Sequence, residues 1–200
     1  MLDPTTFWPT TFELAGIEIM SPSAWGSPEM PGQTRYELLW RDRPQEEAAH
    51  FNPAFCGELL ARTTNEFRKQ AGRTMPLAYA FLVAPLVLHP SARKALPGRA
   101  NTAFASWAGD NADTVSTLAD RTLRLRPVTR EALLFLVQIG AVEISGDGVG
   151  NGNRPLKLSA KPSVSTDEVD EMRRASGMLG RWFGNQADPA AVLQTMGVRV

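Results

Sequence analysis

Residues 51–89, FNPAFCGELLARTTNEFRKQAGRTMPLAYAFLVAPLVLH, decide the fold of this chain, because they encode two consecutive helices that must share a core. Asn52 has the side chain of an N-cap, and Pro53 suits the first helical position, where its missing N–H forfeits no bond. From there Phe55, Cys56, Leu59, Leu60, Thr63 and Phe67 recur with helical period, while Glu58, Arg62, Glu66 and Lys69 take the opposite side. Arg68 and Lys69 complement the carbonyl end of the helix, and Gly72 can adopt the left-handed conformation that ends it. The following helix, 77–88, is apolar all round apart from Tyr79, so it is expected at the centre, packed on the Phe55, Leu59, Phe67 face.

With 200 residues, 43% of them hydrophobic and 21% charged, the chain has ample material for one large domain or a domain with appendages. The apolar run before His89 is about twelve residues long and holds Pro85, short of the roughly twenty that cross a bilayer. The start, Met1-Leu2-Asp3, lacks the basic and apolar regions of a secretory signal, so a cytoplasmic protein is expected. A single cysteine, Cys56, makes neither an internal disulfide nor a cysteine cluster. Charge is segregated: residues 1–50 carry eight acids against three bases, and residues 90–161 ten bases against six acids. A basic middle suits an anionic partner, although solvated faces are commonly charged as well.

Residues 1–40 read as an arm. Pro4, Pro9, Pro22, Pro28 and Pro31 exclude long helices, yet Phe7, Trp8, Phe12 and Trp25 are more aromatic than a free tail carries. They pack either on their own domain or on a partner; one short strand is expected over 12–20. The helical domain, 41–200, follows. After Pro90 the pattern gives a turn of helix over 91–96, a helix 102–108 capped by Asn101, and one capped by Asp110 or Asp113 that carries Val115, Leu118, Leu123 and Leu125. Pro127 or Thr129 opens another over 130–139, whose run Ala132-Leu133-Leu134-Phe135-Leu136-Val137 implies burial on every side.

Gly140 ends that helix, and Ala141-Val142-Glu143-Ile144 and Leu156-Lys157-Leu158 flank the glycine-rich SGDGVGNGNRP as the strands of a β-hairpin. Helices followed by a hairpin are the order of a winged helix-turn-helix, here spanning about 77–160. The fold class expected is therefore mainly α with a small β-hairpin, a helical domain with a winged helix-turn-helix-like part. Two C-terminal helices complete it. Ser165 and Glu168 have capping-box spacing before the first, and Asp188-Pro189 open the second, which Gly197 ends.

No enzyme motif is present: neither His50 nor His89 has a second ligand at metal spacing, and Cys56 sits on an apolar helix face. The 146–153 loop lacks the Lys-Ser/Thr of a phosphate loop and leads into a strand. Catalytic, metal and cofactor residues are accordingly none. Arg121, Arg124, Arg126, Arg130, Arg154 and Lys157 form the surface for nucleic acid or a partner. The helix beyond Arg130 and Glu131 is too apolar to read base edges, leaving phosphate contact or packing as its uses.

Phe51-Asn52-Pro53-Ala54-Phe55, Met75-Pro76-Leu77 leading to Phe81-Leu82-Val83 and Pro85-Leu86-Val87-Leu88-His89, Thr129 to Phe135 and the closing Gly197-Val198-Arg199 resemble, in order and spacing, the small middle components of three-component ABC-ATPase systems, the Lamassu-like anti-phage operons. The resemblance covers residues from about 40 to 200 and carries no catalytic motif to transfer. It implies a non-catalytic accessory subunit that links an SMC- or Rad50-like ABC ATPase to an effector, often a nuclease, in a complex sensing foreign DNA. ATP and metal would belong to those partners. The alternative is a free-standing winged-helix transcriptional regulator, which needs a polar recognition helix and binds its operator alone.

Overall fold

The computed structural model describes residues 43–146, 148–158 and 165–197, without the side chains of residues 46 and 47, and the backbone of two strands nearer the amino terminus. The chain divides into two compact units, Met1–Gln33 and Thr34–Val200. In the first, β1 (Thr11–Leu14) pairs antiparallel with β2 (Ile17–Met20), Leu14 standing opposite Ile17. Two strands therefore replace the single one expected. Phe7, Trp8, Trp25 and the side chain of Phe12 lie outside the described residues.

The second unit opens with α1 (Gln45–His50) and α2 (Pro53–Ala71). Asn52 Oδ1 accepts from the Ala54 N–H at 2.8 Å, and Gly72 closes α2 at φ 67°, as the sequence dictates. The two-residue strand β3 (Met75–Pro76) leads into α3 (Leu77–Val87), in which only Ala78 and Phe81 escape burial. Leu82 is fully buried, as are the α2 residues Leu59, Leu60 and Phe67; Phe55 is half-exposed. Cys56, Leu59 and Leu60 of α2 meet Ala80, Val83 and Ala84 of α3 and Thr129 and Ala132 further on, leaving a void of only about 10 Å³.

Beyond α4 (Pro90–Ala95) and α5 (Phe104–Asp110), one helix, α6 (Ala112–Gln138), spans the stretch that reads as two helices separated by Pro127. Proline removes a single N–H, and the carbonyl it leaves unpaired, on Leu123, lies on the exposed side of the helix. Leu118, Thr122, Val128, Thr129, Ala132, Leu133 and Leu136 bury one continuous stripe on either side of it, which a break would misalign. Two caps also differ. Asn101 is exposed while Thr102 Oγ1 turns back to the Arg99 carbonyl, so α5 begins two residues later; α6 starts after Asn111, with neither Asp110 nor Asp113 as its cap.

Gly140, at φ 72°, turns the chain into β4 (Val142–Ser145), which pairs antiparallel with β5 (Gly148–Asn151). The second strand of the hairpin is thus the glycine run itself, with residues 156–158 outside the sheet. The glycines permit close approach: a Cβ on Gly148 would stand 2.6 Å from Thr74 Oγ1, and one on Gly152 would overlap the Gly140 carbonyl. Val149 between them is fully buried. β5 also pairs with β3, giving the order β3-β5-β4. Strand, helix, helix and hairpin follow in the connectivity expected of a winged part, but α4 and α5 stand where a helix-turn-helix has a short turn.

The last two helices, α7 (Asp167–Gly184) and α8 (Pro189–Thr195), complete the unit. Asp188 caps α8 as expected, accepting from the Ala190 N–H at 2.9 Å. The cap of α7 is Thr166, not Ser165: the Ser165 hydroxyl donates to Asp170 and Glu168 is drawn to Arg93. α7 lies against α2 along Ser176, Gly177, Gly180 and Gly184, with Thr63 Oγ1 donating across the interface to the Ser176 carbonyl at 3.1 Å. Glu58–Arg173 (2.8 Å) and Glu66–Arg181 (2.9 Å) clamp its edges. Burial opposes ionisation of Glu58, yet hydrogen bonds from Arg173 and Arg62 outweigh it and lower the pKa; Glu66 is lowered in the same way by Lys69 and Arg181. Carboxylates with folded pKa values below their unfolded ones stabilise above about pH 4.3 and lose that contribution as pH falls through the folded values. A Glu58→Gln, Glu66→Gln protein should show a flatter urea midpoint between pH 5 and 3 than its parent. Equal slopes would show that the clamps do not govern this limb.

Six rings run through the core: Phe67, Tyr79, Phe183, Trp182, Phe104 and Trp107. Tyr79 stacks on Phe183 at 4.3 Å between centroids, and Trp107 meets Trp182 edge-on at 4.8 Å. Both indoles find acceptors, Trp182 the Thr102 carbonyl and Trp107 the Ala95 carbonyl. The Tyr79 hydroxyl is buried without a hydrogen-bond partner among the described residues, and burial pushes its pKa up. Tyr79→Phe should therefore match or exceed the parent in stability, by up to about 1 kcal/mol in urea unfolding. A comparable loss would reveal a partner for that hydroxyl.

Candidate functional site

α6 buries one side, and its other side is the candidate site. At 100° per residue Leu123, Arg130, Leu134 and Val137 fall within about 60° of one another, on the solvent side. Leu123 is 64% exposed, Leu134 43% and Val137 42%, the large exposed hydrophobics among the described residues. The sequence reading buries residues 132–137 on all sides; the structure corrects it, because Ala132, Leu133 and Leu136 are buried and Phe135 partly so, against Gly57 of α2, while Leu134 and Val137 are exposed. Extending the helical period unbroken through Pro127 would have placed Leu123, Leu134 and Val137 on the outside.

The six basic residues singled out from sequence have different surroundings. Arg121 is held by α3 and by its own helix, donating to the Pro85 carbonyl at 3.3 Å, the Thr114 carbonyl at 3.0 Å and Thr117 Oγ1 at 3.0 Å. With Arg93, which donates to the Val87 carbonyl at 2.8 Å, it supplies positive charge to the carbonyl end of α3. Burial, then repulsion from these two guanidiniums, lowers the pKa of His89. Arg124 pairs with Asp120 one turn away at 2.8 Å, both exposed.

Arg126 and Arg130 are brought together. Arg130 is half-buried, and burial followed by repulsion from Arg126 lowers its pKa. No carboxylate among the described residues pairs with either. Arg154 is exposed just past the hairpin, its N–H donating to the Gly140 carbonyl. Lys157, with Leu156 and Leu158, lines a cleft of about 400 Å³ against Arg62, Asn65, Glu66 and Lys69 of α2. The acid Glu66 and its ion pair to Lys69 at 2.7 Å make that cleft mixed in charge.

Cys56 is buried, and burial raises its thiol to about 12, leaving negligible thiolate at neutral pH. No helix among the described residues is long and apolar enough to cross a membrane. The outer face of α6 thus offers apolar side chains and two adjacent guanidiniums, surface for packing and for an anion, with Gln138 the exposed amide beyond Arg130. Residues 40–200 match the family model described as ABC-three component (ABC-3C) system Middle Component 3. No curated protein and no solved structure matches the chain.

Proposed function

The chain belongs to the Middle Component 3 family of ABC three-component systems, and on that premise we propose that it is a non-catalytic adaptor linking an SMC- or Rad50-like ABC ATPase to an effector, a nuclease, in a Lamassu-like anti-phage or anti-plasmid complex. The observation that carries the reading is the outer face of α6. In a winged-helix regulator this is the helix that enters the major groove, where bidentate polar side chains read bases. Here the positions are Leu123, Leu134 and Val137. Arg126 and Arg130 are the cations this face offers to phosphates, and in this reading the adaptor touches DNA without sequence preference, through the complex. The aromatic arm, with Phe7, Trp8, Phe12 and Trp25, is a second attachment in this reading.

Two measurements test it. The protein co-expressed with the ATPase and effector of its own system should co-purify with both. Alone, it should bind duplex DNA weakly and equally across several sequences, with each phosphate contact adding about 0.9 to the log–log salt slope. Tight, sequence-selective binding by the isolated protein would overturn the adaptor in favour of the regulator.

A further inference from the structure

Resting on the adaptor reading, we infer that the outer face of α6 is the seat of an amphipathic helix from a partner subunit, one whose apolar stripe is interrupted by acidic residues. Leu123 and Val137 are fourteen residues apart, about 21 Å along the helix at 1.5 Å per residue. A strip of that length matches about four turns of a second helix laid alongside. Its chemistry has an order: apolar at Leu123, cationic at Arg126 and Arg130, apolar again at Leu134 and Val137. The complementary helix therefore carries apolar residues at both ends of the contact and carboxylates between them.

Charge selects this occupant over the others. Arg126 and Arg130 raise each other's electrostatic cost, Arg130 being partly desolvated already. A carboxylate presented by a partner relieves that repulsion in surroundings where hydrogen-bonded ion pairs are strong. A second copy of this chain paired about the centre of the strip does not do so. Residue 130 is midway between 123 and 137, so an antiparallel two-fold pairing of the strip sets Arg130 against Arg130. Nucleic acid satisfies the guanidiniums but brings phosphates and sugar edges against Leu134 and Val137, whose burial it cannot complete.

The test uses the full chain with the ATPase and effector subunits of its own system. Backbone deuterium exchange of residues 123–137 should slow in the complex relative to the free protein. Leu134→Asp with Val137→Asp should weaken association roughly tenfold or more, as loss of a buried interface anchor does. Arg126→Glu with Arg130→Glu should weaken it too and reduce its sensitivity to salt. Thermal unfolding of each variant checks that the fold survives, and exchange in the unaltered protein decides the matter if one does not. Assembly with 123–137 exchanging as in the free protein would overturn the inference and leave the adaptor standing. Failure of the unaltered chain to assemble at all would remove both. Protection of the strip by duplex DNA alone, or a dimer abolished by Leu134→Asp, would hand the face to nucleic acid or to a second copy and overturn it equally.

Discussion

Gly180→Val is expected to cost more than 3 kcal/mol and to leave little folded protein at 37 °C, beyond the roughly 1–3 kcal/mol typical of an overpacked core. A Cβ at position 180 would overlap the Thr63 carbonyl oxygen and stand 3.0 Å from both Glu66 Cβ and the Phe67 N–H nitrogen. Two of these three atoms are backbone, so no side chain can swing aside. The helices must part, and they hold the molecule together between them: Phe67 and Phe183 are fully buried on opposite sides of the seam, and Tyr79 of α3 contacts both rings. Separation also breaks the Thr63-to-Ser176 hydrogen bond. Gly177 provides the control. A Cβ there meets nothing closer than Arg181 Nη1 at 3.5 Å, so Gly177→Ala should be tolerated and gain from better helix propensity. Urea unfolding of the two variants decides it: near-equal stabilities would mean that α2 and α7 do not pack backbone to backbone.

That seam shows what the sequence makes legible and what it hides. α2 was readable to its caps because Asn52-Pro53 and Gly72 act locally, each through its own backbone. Burial of α3 followed from its having no polar side. Gly180 and Gly184, by contrast, give no local sign of what they pack on, which lies more than a hundred residues away in Thr63, Phe67 and Gln70. Pro127 misleads for a similar reason. Its local cost is one hydrogen bond, whereas the gain from keeping α6 whole is a stripe from Leu118 to Leu136 that only tertiary packing reveals. The same continuity fixes the candidate site, since two separate helices would give Leu123 and Leu134 no common face. The basic residues were visible as charges, but their partners were not: Arg121 ends on the Pro85 carbonyl, Arg124 on Asp120. Glycine likewise reads as a loop former in residues 146–152, although in β5 it is what lets a strand pass beneath Thr74.

Glu131→Ala should destabilise the protein by about 2–3 kcal/mol, below the roughly 3–5 kcal/mol for a fully buried ion pair, because this pair is partly exposed. Arg43 has no exposed side-chain surface and meets Glu131 through two contacts, Nη2 to Oε1 and Nη1 to Oε2, each 3.0 Å. Glu131 keeps 24% of its side chain exposed. The two deletions are therefore unequal. Without Glu131, a guanidinium remains enclosed with its facing carboxylate gone; without Arg43, the carboxylate can turn to water. Arg43→Met should cost less than Glu131→Ala, and the double replacement Arg43→Met, Glu131→Leu should recover most of the loss, since an apolar pair of similar volume avoids the desolvation of two charges. Chemical denaturation of the three variants and the parent measures this order, and a Glu131→Ala protein within about 1 kcal/mol of the parent would show the pair to be dispensable. The consequence reaches the outer face of α6. Glu131 directly follows Arg130 in the helix, so its tie to Arg43 and the buried stripe of α6 both bear on which side chains point outward. In the double variant, stability returns without that ionic tie. If partner association returns with it, packing of Leu118, Val128, Ala132 and Leu136 suffices to orient Arg130, Leu134 and Val137; if association stays weak while stability is restored, the ion pair is what aims the face.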